Sequence, residues 1–132
     1  MGHSVASHCN LDIVCAEPET SIGRLRMAFR DPSVDAVVVL DPMGAPLGIV
    51  TAQDFIARGD HAAAVKDVMT SRSIAVEASD SLAHAAELMK AENIQQLIVL
   101  GWGGAVIGLL SAVDVLRGLG SNGSAKLEPA SR

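Results

Sequence analysis

One heptapeptide is spelled twice in this chain, and it constrains the fold more than any other feature. Gly48-Ile49-Val50-Thr51-Ala52-Gln53-Asp54 returns sixty positions later as Gly108-Leu109-Leu110-Ser111-Ala112-Val113-Asp114. Glycine, two aliphatics, a hydroxyl residue, alanine and aspartate each fall on their counterparts. The same offset pairs Ser21-Ile22 with Ser81-Leu82, Val38-Val39-Leu40 with Ile98-Val99-Leu100, and Gly44-Ala45 with Gly104-Ala105. A spacing kept without a gap is an internal repeat, so two copies of one unit fill most of the 132 residues. Units of some fifty residues are marginal alone, and mutual packing is the expected remedy.

Within the heptapeptide, glycine and two aliphatics read as the end of a buried strand, and the residues after Thr51 and Ser111 suit a helix. The hydroxyl residue then stands at an N-cap, where its oxygen accepts from an unpaired backbone N–H. The aspartate three residues on lies in the first turn, where the helix dipole favours negative charge. Two readings of Thr/Ser-x-x-Asp are open. It is a variant of the capping box, though that motif prefers Glu or Gln at its last position. Alternatively the carboxylate, with two acceptor oxygens, takes both vicinal hydroxyls of a ribose beside a helix N-terminus suited to a phosphate.

The order of elements is a short strand, a helix, two more strands, and Gly-aliphatic-aliphatic-Thr/Ser-x-x-Asp opening a second helix. This order, with Asp67-Val68-Met69-Thr70 ahead of the second copy, resembles the cystathionine β-synthase (CBS) domain over about residues 10–120. The resemblance implies an α/β (α+β) fold of tandem CBS domains, each β-α-β-β-α, packed through their sheets with pseudo-twofold symmetry as a Bateman module. It implies two equivalent clefts between the units and a regulatory module that binds an adenosine-containing ligand in one or both. AMP, ADP, ATP and S-adenosylmethionine are the ligands to expect, with no cofactor required. By the same resemblance Asp54 and Asp114 hold ribose hydroxyls, and Thr51 and Ser111 orient the ligand near its ribose or phosphate. Ile13, Ile49, Ile74, Val76 and Leu109 sandwich the adenine. Two chains are expected to pair as a flat homodimer of four units.

The sequence makes the two clefts unequal. Where the second copy has Met69-Thr70-Ser71-Arg72, the first has Cys9-Asn10-Leu11-Asp12, so an acid replaces an arginine. This favours a phosphate in the pocket that uses Arg72. Basic residues near the motifs are few: Arg58, Lys66, Arg72 and Arg117. Catalysis is not expected, because no serine, cysteine or histidine is repeated beside a base. The alternative to a ligand sensor is a ligand-free scaffold whose aspartates only cap helices and whose surfaces serve homodimerisation or a protein partner.

A formal charge of −5 and the absence of tyrosine argue against nucleic acid. No apolar run is long enough to cross a bilayer and no signal segment opens the chain, so a soluble cytoplasmic protein is expected. Cys9 and Cys15, with His3 and His8, match no zinc spacing and are expected to pack as small apolar residues.

Along the chain, residues 1–9 read as a flexible leader, 10–60 as the first unit, 61–120 as the second with a lead-in helix over 62–69, and 121–132 as a disordered tail. The first unit is expected to hold a strand over Leu11–Cys15, then a helix capped by Thr20 or Ser21 with Ile22, Leu25, Met27 and Phe29 towards the core. Strands over Ala36–Leu40 and Pro46–Val50 follow, with a helix ending near Gly59. In the second unit the strand is Ile74–Val76, the helix runs from Ser79 or Asp80 to Glu92, and strands over Gln96–Leu100 and Val106–Leu110 precede a helix to Leu119. Val65, Val68 and Met69 are placed to pack the lead-in helix onto the second unit. His84 and the arginines at 24, 26 and 30 should face water. Trp102 lies on a turn, either partly buried on the sheet edge or in contact with another subunit.

Overall fold

A computed structural model describes residues 3–58, 64–70 and 74–120. The first unit consists of β1 (Val14–Ala16), α1 (Ile22–Leu25), β2 (Ala36–Leu40), β3 (Pro46–Thr51) and α2 (Ala52–Arg58). The second repeats the order as β4 (Ala75–Glu77), α3 (Leu82–Glu92), β5 (Gln96–Leu100), β6 (Val106–Ser111) and α4 (Ala112–Gly120). Each unit is therefore β-α-β-β-α. Its sheet has the order β1-β2-β3 or β4-β5-β6, with the first pair parallel and the second antiparallel.

Strands β2 and β5 are apolar on both faces because both faces are covered. Val37, Val39 and Val50 face the helices of the first unit, and Leu97, Val99 and Leu110 face those of the second. The alternate residues Ala36, Val38, Ile49, Ile98 and Leu109 meet in a third buried cluster between the sheets. Period-2 alternation thus assigns one set of side chains to each unit's own core and the other to the seam that joins the units.

The segments preceding each unit are exchanged. Residues 3–9, expected as a flexible leader, pack on the second unit: Val5 is 0% exposed and sits in its core. The Val5 N–H donates to the Asp80 carbonyl (2.8 Å) and the Ala6 N–H to that of Ala78 (2.9 Å). Val65, the equivalent of Val5, and Val68 enter the core of the first unit, not the second as their position in the chain suggests. There the Val65 N–H donates to the Thr20 carbonyl (2.7 Å) and the Lys66 N–H to that of Pro18 (3.0 Å). Only a 3-10 turn, Val65–Asp67, is formed in the described part of the expected lead-in helix. Burial of a valine that each unit cannot supply from its own span is what holds the crossing in place.

Several local boundaries differ from expectation for physical reasons. β1 starts at Val14 because residues 10–12 are engaged elsewhere, Asn10 bridging to Leu109 and its side chain accepting from the Asp12 N–H (2.9 Å). α1 stops at Leu25 and resumes as a 3-10 turn over Ala28–Arg30, which breaks the helical period and leaves Met27 67% exposed. Phe29 does pack on the first core. α3 is capped by Ser81, whose side chain accepts from the His84 N–H, while the Asp80 carboxylate closes the preceding turn on the Glu77 N–H (2.9 Å). β4 accordingly runs one residue later than expected.

Arg24, Arg26, Arg30 and His84 are exposed, and the Arg26 guanidinium lies 5.3 Å from the Phe55 ring. Cys9 packs against the second core, but Cys15 is exposed, on edge strand β1. Trp102 is 99% exposed, so it is not buried on the sheet edge. The expected C-cap at Gly59 and the tail 121–132 lie outside the described residues.

Candidate functional site

The repeated glycines allow the exchange to reach the site. A Cβ on Gly48 would stand 2.6 Å from the Thr70 carbonyl oxygen, and one on Gly108 would stand 2.7 Å from that of Asn10. Both are closer than a real Cβ contact. Ile49 and Thr70 exchange backbone hydrogen bonds of 3.1 and 2.9 Å, and Leu109 and Asn10 do the same at 3.0 and 2.8 Å. The chain entering one unit is thereby laid beside the hydroxyl-x-x-Asp turn of the other.

That turn is a reciprocal cap in both copies. The Asp54 N–H donates to Thr51 Oγ1 (3.3 Å), while Asp54 Oδ2 accepts from the Thr51 N–H (3.0 Å) and hydroxyl (3.1 Å). In the second copy the Asp114 N–H donates to Ser111 Oγ (3.1 Å) and Asp114 Oδ2 accepts from the Ser111 N–H (3.0 Å). Aspartate is one methylene shorter than the usual glutamate, yet it closes the box. Only one oxygen of each half-buried carboxylate is used in this way. Among the described residues, Oδ1 of both aspartates has no hydrogen-bond partner, and it can accept from a ligand hydroxyl.

Two clefts result, related by the sixty-residue offset. The first has a volume of about 180 Å³ and brings Leu109, Ser111 and Asp114 of the second unit against Asn10, Asp12, Ile13 and the segment Ser33–Ala36. The second, of about 350 Å³, brings Ile49, Thr51 and Gln53 of the first unit against Thr70 and the segment 93–96. Asp54 stands one residue beyond Gln53 on the same helix turn. A further cavity of about 350 Å³ adjoins the first cleft, where Arg117 shares the lining with Asp35 and Asp114.

Of the residues predicted for the site, Thr51 and Ile49 meet in one cleft, and Ser111, Asp114, Leu109 and Ile13 in the other. Val76 does not reach either: it is buried in the core of the second unit, because the inward side of β4 faces α3. Ile74 is also drawn onto that core, with its carbonyl accepting from the Ile98 N–H (3.0 Å). Arg72 lies outside the described residues, two positions beyond Thr70, which lines the Thr51 cleft. Arg58 ends α2. Lys66 pairs with Glu19 at 2.9 Å on the surface and lines neither cleft.

The segments Ser33–Ala36 and Asn93–Gln96 were not predicted as cleft walls. Their signal was the repeat itself, which aligns them, and the register that sets Ala36 opposite Thr51 and Gln96 opposite Ser111. Among the described residues no group of three or more His, Cys, Asp and Glu is placed to hold a metal ion, and no helix is long and apolar enough to cross a membrane.

A family model described as the CBS domain matches residues 5–60 and 65–121. Inosine-5'-monophosphate dehydrogenase of Korarchaeum cryptofilum is 31% identical over 105 residues, 79% of this chain and 22% of that relative. Among solved structures, the CBS domain pair of protein MJ0100, in complex with 5'-methylthioadenosine and S-adenosyl-L-methionine, superposes with a TM-score of 0.80 at 20% identity. The match covers 92% of this chain and 99% of that one. CBSX2 in complex with AMP gives a TM-score of 0.74 at 24% identity, again covering 92% and 99%. The chain spans 21–26% of the length of three curated relatives and 61% of a fourth.

Proposed function

The chain belongs to the CBS-domain family, and from that premise we propose that it is a regulatory module binding an adenosine-containing ligand in the clefts between its two units. The observation that carries this reading is the half-used carboxylate. Asp54 and Asp114 each spend Oδ2 on their own helix; Asp114 lines a cleft walled by the other unit, and Asp54, which is not in the lining of the equivalent cleft, adjoins it through Thr51 and Gln53. A purely structural cap requires no such cleft. The ligands held by the two similar CBS pairs, AMP in one and adenosyl thioethers and sulfoniums in the other, support the same class here.

In this reading Asp54 and Asp114 accept from ribose hydroxyls, Thr51 and Ser111 orient the sugar, and Ile49, Ile13 and Leu109 cover the base. Ligand sites occupy roughly 300–1,000 Å³, so the Thr51 cleft at about 350 Å³ is already of that size. Its uncharged wall, Thr70 with Asn93, Gln95 and Gln96, suits AMP, ADP or ATP, with Arg72 as the cation that follows Thr70. Because each cleft takes one wall from either unit, a ligand biases how the units sit, to the extent that it prefers one arrangement. The module acts by binding and not by catalysis. Apolar side chains that α2 and α4 leave exposed, Ile56, Val113 and Leu116, support pairing of two chains, and the protein is expected to work in the cytoplasm.

Thermal melting of the full chain with AMP, ATP and S-adenosylmethionine tests the proposal. A ligand at 100 times its dissociation constant adds about 2.7 kcal/mol of stability. A melting temperature unmoved by all three leaves the module as a scaffold for homodimerisation or a protein partner.

A further inference from the structure

The two clefts are built on one plan but carry different charge. The smaller is lined by Asp12, Asp35 and Asp114. At the positions equivalent to the first two, the other unit has Arg72 and Gln95. No basic side chain lines the smaller cleft among the described residues. Arg117 stands in the adjoining cavity, where it shares the lining with Asp35 and Asp114. Even counted in full, it leaves an excess of two carboxylates. We propose that Asp12 and Asp35 are specificity-determining residues, restricting the Asp114 cleft to adenosine compounds whose 5' substituent is uncharged or cationic. This rests on the reading that the clefts take adenosine compounds.

The physical argument is one of confinement. The cleft of about 180 Å³ and the adjoining cavity of about 350 Å³ share Asp35 and Asp114 in their linings, so a ligand that spans them stays close to all three acids. The Debye length at physiological ionic strength is about 8 Å, so salt does not hide a phosphate from them. Asp12 and Asp35 are exposed, which weakens each repulsion, and the combined effect of like charges in such a partly wet site is on the order of tenfold in affinity. A cationic 5' group gains from the same carboxylates. Neither Asp12 nor Asp35 has a side-chain hydrogen bond or ion pair among the described residues, so no structural task accounts for their acidity. The protein then carries two inputs: a phosphorylated nucleoside at Thr51 and an uncharged or cationic one at Asp114.

An amide NMR titration of the full chain separates the clefts, because Leu109 and Ser111 report on one and Ile49 and Thr70 on the other. The probes are adenosine, 5'-methylthioadenosine and AMP. At Leu109 and Ser111, 5'-methylthioadenosine is expected to bind at least about tenfold more tightly than AMP. In the chain carrying Asp12→Asn with Asp35→Asn, that ratio is expected to fall to about threefold or less. Equal binding of the two probes by the unmodified chain overturns the specificity while leaving the adenosine reading intact, and so does a ratio that the double substitution leaves unchanged. If no probe moves either pair of amides, the adenosine reading falls and the specificity with it. Spectra of the double variant without ligand show that it is folded.

Discussion

The two units differ most where they are least constrained by each other. Their sheets, their caps and the exchanged Val5 and Val65 correspond, yet α3 runs eleven residues and α1 only four. The reason is local: Leu82–Glu92 is rich in alanine, leucine, glutamate and lysine, whereas the equivalent stretch holds Gly23 and ends at Asp31-Pro32. Beside the shortened α1 lies a cavity of about 600 Å³ lined by Cys15, Arg24 and Pro42 among others. The outer helix of a unit can therefore be truncated without disturbing the seam. What is held constant is the set of contacts that crosses between units, and that is where the clefts are formed.

The largest expected effect breaks the correspondence at its tightest point. Gly48→Ala and Gly108→Ala each drive a methyl into a backbone carbonyl, and each should destabilise by about 1–3 kcal/mol, as overpacking does. Urea unfolding of both variants checks that the two losses are similar. A large loss from one and none from the other shows that only one crossing is structural.

Next in size are the exchanged valines. Val5→Ala and Val65→Ala remove two buried methyl groups from opposite cores, and each is expected to cost about 2 kcal/mol. Denaturation midpoints measure both. A loss below about 0.5 kcal/mol at Val5, the scale of an ordinary surface substitution, restores the flexible leader expected from sequence.

The smallest effect concerns the thiols and sharpens the comparison. Burial pushes the Cys9 thiol above the ordinary range, and the Asp114 charge adds to this; partial desolvation alone raises Cys15, whose side chain is otherwise exposed. A folded-state pKa above the unfolded one contributes stability below the unfolded value, and that contribution is lost as pH rises through the folded value. Both thiols should therefore be alkylated with pH midpoints above that of a free cysteine. Asp114→Asn should lower the midpoint of Cys9 and leave Cys15 where it is. Iodoacetamide rates between pH 7 and about 10, bracketing the free thiol value near 8.5, resolve the two.

Much of this was legible beforehand. The offset of the heptapeptide gave the duplicated plan, and the aliphatic runs Ala36–Leu40 and Gln96–Leu100 gave strands that the structure reproduces. The caps of Thr51 with Asp54 and of Ser111 with Asp114 were legible from their spacing because caps are local. The exchange was not legible. Val5 and Val65 align in the repeat, but alignment does not say which core receives them, and chain order pointed to the wrong one for Val65. Val76 was misplaced for a related reason, since the direction of a three-residue edge strand is set by the helix packed on it and not by its own sequence. Met27 was assigned to the core by a helical period that the chain abandons two residues earlier.

Calorimetric titration of adenosine into the unmodified chain and into Asp54→Ala and Asp114→Ala bears most directly on the central claim, that the free oxygens of the two capping aspartates serve a sugar. Saturable binding is expected, weakened at the altered cleft by about 1.5–3 kcal/mol, tenfold or more, as when a hydrogen bond to a charged group is lost. Binding that both variants retain at full strength, or no saturable heat from the unmodified chain, contradicts it.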